Sequence, residues 1–297
     1  MRLIKPSFEI LEQEPGIQGI YKQIERAGRT CYKSEDRITE DSAEKFVNMI
    51  KDRQHTAMLE HGTVYLSCSD AEFIYLGLRY ECNNYSNVVW EEFAPGHRTK
   101  VYITTNYRVL YENNWLDDLK YLCEPTEYHE KRITVKFICD RGVSHEFVRH
   151  RVFSFAQEST RYCNYSKDKF GNSISYIIPL WLDLEEGNYL VLEDNGVLDT
   201  PMGIFPFTEV DQSTLFFIAG LSEAEVRYFE LLHSEWTPQQ ARSVLPNSLK
   251  TELVMTGTLE QWKGFFKLRC DAAAHPQARE LAIPLKEEFK KLHYIND

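Results

Sequence analysis

Ser144-His145-Glu146-Phe147-Val148-Arg149-His150-Arg151, followed by Val152 to Glu158 and then Ser159-Thr160-Arg161-Tyr162, is the densest unusual stretch of this 297-residue chain. Its three consecutive cations stand in a chain of 34 Lys and Arg against 45 Asp and Glu, a formal net charge of −11. On a helix, Glu146, Arg149 and His150 share a face at spacings of three and four while Arg151 points elsewhere, so the run could grip anions on two sides. Planar guanidinium forks suit phosphate and carboxylate oxygens. A plainer reading also fits the spacing: basic residues near a helix C-terminus interact well with the macrodipole and stay solvated. Just upstream, Ile133, Val135, Phe137 and Cys139 alternate with Thr134 and Lys136 as in a half-buried strand, so the basic run follows a strand.

Hydrophobic residues make up 43% and aromatic residues 13%, enough to bury a core without disulfide or metal staples. The acidic balance opposes a nucleic-acid partner, because such binders neutralise backbone phosphates with Lys and Arg. Small anionic ligands remain open to a local basic cluster. Seven scattered cysteines form no C-x-x-C pair, which predicts reduced thiols in a cytoplasmic protein. No stretch approaches the roughly 18 apolar residues of a membrane span, so no membrane partner is expected.

Elsewhere the period alternates between helix and strand. Phe8 to Leu11 is extended; helices are predicted near Ile17 to Ala27 and from Ser42 to Lys51 behind an Asp41 N-cap; Thr63 to Cys68 reads as a strand. Residues 69 to about 131, rich in Tyr and Asn with a strand-like Val101 to Tyr111, read as an inserted β-rich excursion. Ile177 to Phe217 looks irregular, and Ser222-x-x-Glu225 carries the chemistry of a helix start. Thr237-Pro238-Gln239-Gln240 opens a short helix with Arg242, Leu249 to Met255 alternates as a strand, and Thr258 with Gln261 begins another helix. A last helix runs from near Pro276 toward Leu292, with a kink expected at Pro284.

Ser159 with His150 as base would make a nucleophile pair, but no nucleophile-elbow pattern surrounds it, and a ligand-binding hydroxyl is the better reading. Cys163 near Arg161 reads as a small buried hydrophobe rather than a thiolate. His55, Glu60 and His61 invite a metal, but their spacing favours local hydrogen bonds or ligand contacts, and no metal is predicted. Neither glycine fingerprint for nucleotides is present.

Arg149-His150-Arg151, seven residues, then Ser159 resembles the R-H-R-x7-S signature of flavin-dependent thymidylate synthases. Four further blocks follow that family's order: His55-x4-Glu60-His61, Ser159-x-Arg161-Tyr162, Ala241-Arg242-Ser243-Val244-Leu245-Pro246 and Phe265-Phe266-Lys267-Leu268-Arg269. The resemblance covers roughly residues 17 to 68, 133 to 178 and 222 to 292. It implies one α+β domain over residues 1–297, a largely antiparallel sheet packed with helices, with the insertion at about 69–131. It further implies a homotetramer with active sites between subunits. The implied reaction is reductive methylation of dUMP to dTMP, with 5,10-methylenetetrahydrofolate as carbon donor and NADPH as the reductant of bound FAD. Carried over residue by residue, Cys31, His55, Arg149, His150, Arg151, Gln157, Thr258 and Gly264 fall at FAD. Glu146, Arg149, Gln157, Glu158, Ser159, Thr160, Arg161, Arg242 and Arg269 fall at dUMP, with Arg269 stabilising the N3-deprotonated uracil. Glu146 stands where many members have Gln, Gln157 where many have Glu, and Thr258, Glu260 and Gly264 where some use Asn and Arg. The competing reading is a non-catalytic, mononucleotide-binding regulatory module without flavin.

Overall fold

The alternation over Ile133 to Cys139 builds an inner strand of a four-stranded antiparallel sheet. A computed structural model describes residues 1–167 and 171–296. With strands numbered along the chain, that sheet has the order β2 (Ser7–Leu11), β6 (Arg132–Asp140), β13 (Lys250–Thr258), β7 (Ser154–Gln157). A second antiparallel sheet has the order β3 (Thr63–Cys68), β5 (His97–Asn106), β4 (Asn87–Ala94). β1 (Arg2–Ile4) lies between β8 (Ser175–Ile177), its parallel neighbour, and β9 (Gly187–Asn188). β10 (Leu190–Leu192), β11 (Val197–Thr200) and β12 (Gly203–Pro206) form a meander. The helices are α1 (Gly16–Tyr32), α2 (Ser42–Asp52), α3 (Phe73–Glu81), α4 (Tyr107–Glu112), α5 (Arg141–Phe147), α6 (Gln212–His233), α7 (Pro238–Ala241), α8 (Leu259–Arg269) and α9 (Pro276–Lys291). The fold is mixed α+β, as the sequence predicts. Among the described residues no helix is long and apolar enough to cross a membrane.

One face of the central sheet is aromatic. Ile133, Val135 and Phe137 of β6 and Leu253 and Met255 of β13 are buried with Phe147, Trp262, Phe265 and Phe289 from α5, α8 and α9. Each fully buried large side chain contributes about 1.5–3 kcal/mol, so this face fixes where the helices sit. Trp262 satisfies its indole N–H on the Ile133 carbonyl at 3.1 Å. The opposite face carries charge: Glu252, 4% exposed, pairs with Lys250 at 2.5 Å, with Lys136 at 2.6 Å and with Lys33. Burial works to raise its pKa, but the three ammonium groups outweigh it and hold the carboxyl well below the usual range. The two sheets meet through side chains: Arg132 of β6 donates from Nη1 to Thr63 Oγ1 at 3.3 Å and from its backbone N–H to the Tyr65 hydroxyl at 3.2 Å. Gln13 donates from Nε2 to the Thr63 carbonyl at 2.9 Å and accepts the Thr63 N–H at 2.8 Å, standing where a neighbouring strand would be.

Several expectations about elements are corrected. The strand read over Val101 to Tyr111 stops at Asn106, whose side chain caps α4 by accepting the Val109 N–H at 3.2 Å. The 69–131 stretch is not simply β-rich, since it contains α3, and its β5 completes a sheet with β3, which precedes it. Between Ile177 and Phe217 the chain forms four short strands and then begins α6. That helix starts ten residues before Ser222, because Asp211 caps it by accepting the Thr214 N–H at 2.8 Å. Glu225 instead accepts the Ile174 N–H at 2.7 Å. Asp41 makes no side-chain cap to α2. The Thr258 capping box stands as read, with Thr258 N–H on Gln261 Oε1 at 2.9 Å and Gln261 N–H on Thr258 Oγ1 at 3.3 Å.

Candidate functional site

Asp140 ends β6 and caps α5 by accepting the Val143 N–H at 2.7 Å. The helix then lasts seven residues and stops at Phe147, short of the basic triplet. Phe147 and Phe153 are both buried in the aromatic core, where Phe153 lies 4.7 Å from Trp262. A continuing helix would carry residue 153 away from that core, so the chain turns back, with the His150 N–H on the Phe147 carbonyl at 3.1 Å. The helical placement of Arg149 to Arg151 is thereby overturned. Glu146 and His150 are nonetheless brought together by a third residue, Arg269 at the end of α8. Arg269 donates from Nε to His150 Nε2 at 2.9 Å, from Nη1 to Glu146 Oε2 at 2.6 Å and from Nη2 to the Glu146 carbonyl. Arg149 is exposed but keeps Nη1 3.6 Å from Glu146 Oε1.

Burial, then the Arg269 charge, lowers the His150 pKa to about 4. The ring is therefore neutral at pH 7, and since Nε2 accepts from Arg269 its proton sits on Nδ1. A neutral acceptor orients the guanidinium without cancelling its charge; Glu146 supplies a counter-charge in direct contact.

β7 leads from this cluster to a second. Gln157, its last residue, donates from Nε2 to Ser144 Oγ at 2.9 Å and Thr251 Oγ1 at 3.2 Å, tying strand to helix and sheet. Glu158, 2% exposed, accepts from Lys250 Nζ at 2.8 Å. The Ser159 N–H donates to the Cys31 carbonyl at 3.2 Å, and Ser159 Oγ accepts the Arg161 N–H at 3.4 Å. Thr160 Oγ1 accepts from Arg242 Nη1 at 2.9 Å, which brings the Arg242 block onto the Ser159 loop. Arg161, Tyr162 and Arg242 are exposed. The Thr160 hydroxyl and the Arg242 guanidinium thus meet at a turn that also carries the Ser159 hydroxyl and exposed Arg161, a set suited to an oxyanion.

The structure links the upstream blocks to this second cluster. The Tyr32 hydroxyl and His55 Nδ1 share a hydrogen bond at 2.6 Å, and the Tyr32 ring lies 5.7 Å from Tyr162. Cys31 packs beside Met58, and burial pushes its thiol up to about 11, which rules out a thiolate. Cys163 is fully buried, as read. His55, Glu60 and His61 part company: His55 goes to Tyr32, Glu60 to Arg108 at 2.5 Å, and buried His61 to Thr256 Oγ1 at 2.8 Å. Among the described residues no group of three or more His, Cys, Asp or Glu could hold a metal ion. No hydrogen bond joins His150 to Ser159 among the described residues, so no nucleophile pair is assembled there. Thr258 spends its hydroxyl on the α8 cap, while Gly264 lies on the exposed face of that helix with open space where a Cβ would stand. Tyr32 and Lys250 escaped sequence reading; the alternation of Lys250, Glu252 and Val254 on one face of a strand was the available signal for the latter.

Fold and site define an α+β protein with one arginine, Arg269, held by Glu146 and His150, and an exposed arginine turn suited to an anion. Residues 125–293 match the family described as Thymidylate synthase complementing protein, and the chain belongs to that family. It is 30% identical over 148 residues to the flavin-dependent thymidylate synthase of Mycolicibacterium vanbaalenii, covering 48% of this chain and 51% of that protein. The flavin-dependent thymidylate synthase of Corynebacterium glutamicum is 28% identical over 147 residues, with the same two shares. The chain thus spans about half the length of the curated relatives it matches. The crystal structure of a UMP/dUMP methylase, PolB from Streptomyces cacaoi, bound with 5-Br dUMP, is 17% identical with a TM-score of 0.43, covering 98% of this chain and 93% of that one.

Proposed function

We propose that this chain is a flavin-dependent thymidylate synthase, converting dUMP to dTMP in the cytoplasm with 5,10-methylenetetrahydrofolate as carbon donor and NADPH as reductant. The observation that carries this reading is the convergence, from four separated blocks, of Arg269, Glu146 and His150 at one end of β7 and of Ser159, Thr160, Arg161 and Arg242 at the other. In this assignment the second cluster holds the dUMP phosphate, with Arg161 and Arg242 as counter-charges and Ser159 and Thr160 as hydroxyl partners. Arg269 stabilises negative charge developing on the uracil, and its fixed contacts mean that little reorganisation is needed. Glu146 and His150 position that guanidinium, while Gln157 and Glu158 brace the strand between the clusters.

The cofactor fits the side chains present. Exposed Arg149 and Arg151 offer cationic surface for the FAD diphosphate, and His55, stacked on Tyr32, offers an aromatic face. Cys31, His150, Gln157, Thr258 and Gly264 complete the set assigned to FAD. Bound FAD, once reduced, supplies the hydride that the protein itself cannot. A homotetramer whose sites combine residues of different subunits, each chain acting as one domain, belongs to the same reading.

The test is a visible absorption spectrum of the purified protein, followed by anaerobic NADPH and dUMP. A yellow preparation that bleaches with NADPH and then forms dTMP when methylenetetrahydrofolate is added supports the assignment. A protein that binds dUMP yet stays colourless after FAD reconstitution sinks it in favour of a regulatory nucleotide-binding module.

A further inference from the structure

Between the loop before α1, the start of β6 and residues 122–125 lies a cavity of about 240 Å³, lined by none of the residues assigned to dUMP or FAD. Its apolar wall includes Ile10, Ile20, Leu122 and Ile133, and Lys131 and Arg132 line it as well. Neither cation has a carboxylate within ion-pair distance among the described residues. Arg132 uses Nη1 on Thr63 Oγ1 at 3.3 Å and Nη2 on the Glu60 carbonyl at 3.1 Å, leaving three of its five N–H donors. The Glu60 carboxylate, the nearby counter-charge, is taken by Arg108. Lys131 lies over the Tyr294 ring, 3.9 Å from its centroid. Burial lowers the pKa of both side chains, the mark of cations that lack a full counter-charge.

Two further features border the same space. Pro15 and Gly16 line it, and Pro15 is the N-cap of the 17-residue α1, which has neither a side-chain cap nor an acid in its first turn. Gly16, the first residue of that helix, thus borders the cavity at the positive end of the helix. Gln23 also lines it, is 2% exposed, and its carboxamide oxygen has no partner. The three carboxylates at the rim are exposed, and Glu14 is committed to Lys22 at 2.6 Å.

We propose that this cavity is a second ligand site, for a small organic anion whose carboxylate or phosphate meets Arg132, Lys131 and the Gly16 amide at the start of α1. Its apolar body lies on Ile10, Leu122 and Ile133, and a hydroxyl or N–H of the ligand reaches Gln23. A cavity of about 150 Å³ already holds benzene, so a benzoate-sized ligand is accommodated. The site does not depend on the synthase reading.

Calorimetric titration of the full chain with benzoate, benzamidine and inorganic phosphate tests it. Benzoate and benzamidine share a shape and differ in charge, so the rim carboxylates and the two cations make opposite predictions. Saturable benzoate or phosphate binding is expected, with none for benzamidine. Lys131→Ala is expected to weaken it about tenfold, the worth of one charge-assisted hydrogen bond. Arg132→Gln is expected to weaken it further, and Arg242→Ala to leave it unchanged. Should Arg132→Gln fail to fold, exposed Lys131 carries the test. Phosphate that competes with benzoate marks a phosphate-class ligand, and failure to compete marks a carboxylate. Absence of saturable binding by both anions, preference for benzamidine, or loss in Arg242→Ala with Lys131→Ala unaffected overturns the proposal.

Discussion

The two ends of β7 hold arginines in opposite conditions. At one end Arg269 is half-buried with its donors committed to Glu146 and His150, while at the other Arg242 spends one bond on Thr160 and Arg161 stands in solvent. A guanidinium held on three sides is placed before any ligand arrives, so its worth lies in where charge develops during reaction. An exposed guanidinium gives affinity when an anion comes to it. The first kind of loss should read in kcat and the second in KM.

The largest effect expected is therefore on Arg269. Its replacement by alanine should lower kcat by about 10²- to 10³-fold, the scale of removing one electrostatic donor from an active site. The same variant should let the His150 pKa climb from about 4 toward its ordinary value, as seen by NMR titration. Turnover unchanged in a folded, flavin-loaded Arg269→Ala protein would erase the distinction between the two ends. Next in size, Arg242→Ala should raise the KM for dUMP by about 10- to 100-fold, with kcat changed far less. If kcat falls as far as KM rises, the open end is not merely a binding end.

A smaller effect tests the scaffold behind the closed end. Glu280 of α9 has its pKa raised to about 7, by burial first and then by Asp140, the cap of α5. Its folded pKa exceeds the ordinary 4.5, so between those values the folded state binds more protons and stability falls as pH rises. Glu280→Gln should accordingly raise Tm more at pH 8 than at pH 5; an equal gain at both values removes Glu280 as the source. The smallest effect on turnover is expected from Cys163→Ser. That residue is fully buried in an apolar cluster, and its bond to the Ser159 carbonyl at 3.0 Å comes from the backbone N–H, which serine keeps, so thermal stability should drop while the steady-state rate holds.

Sequence reading found the strands and the motif blocks because they obey local rules. The alternation in β6 and β13, and the Thr258 capping box, need only neighbours in the chain. It failed where tertiary packing decides. The return of Phe153 to the core overrides the helical spacing of Arg149 to Arg151, and the Asp211 cap overrides a plausible start at Ser222. It located Arg269 and Arg242 by resemblance, but their partners could not be read, because Glu146 and Thr160 lie 123 and 82 residues away. Two of the lysines around Glu252, Lys33 and Lys136, were invisible for the same reason; Lys33, the left-handed residue that ends α1 at φ 49°, lies 219 residues away.

Gln13 remains, with its carboxamide set against the edge of β3. The two sheets are separate ladders, and at this joint Gln13, with Arg132 of β6 on Thr63 Oγ1 and the Tyr65 hydroxyl, stands in for a strand. A ladder transmits register: one added residue turns every following side chain to the other face. A carboxamide transmits none. Lengthening or shortening the loops of the second sheet need not shift the strand that carries Gln157, so the two halves can drift through sequence space at different speeds. The joint works as a clutch between a half free to vary and a half that must keep step.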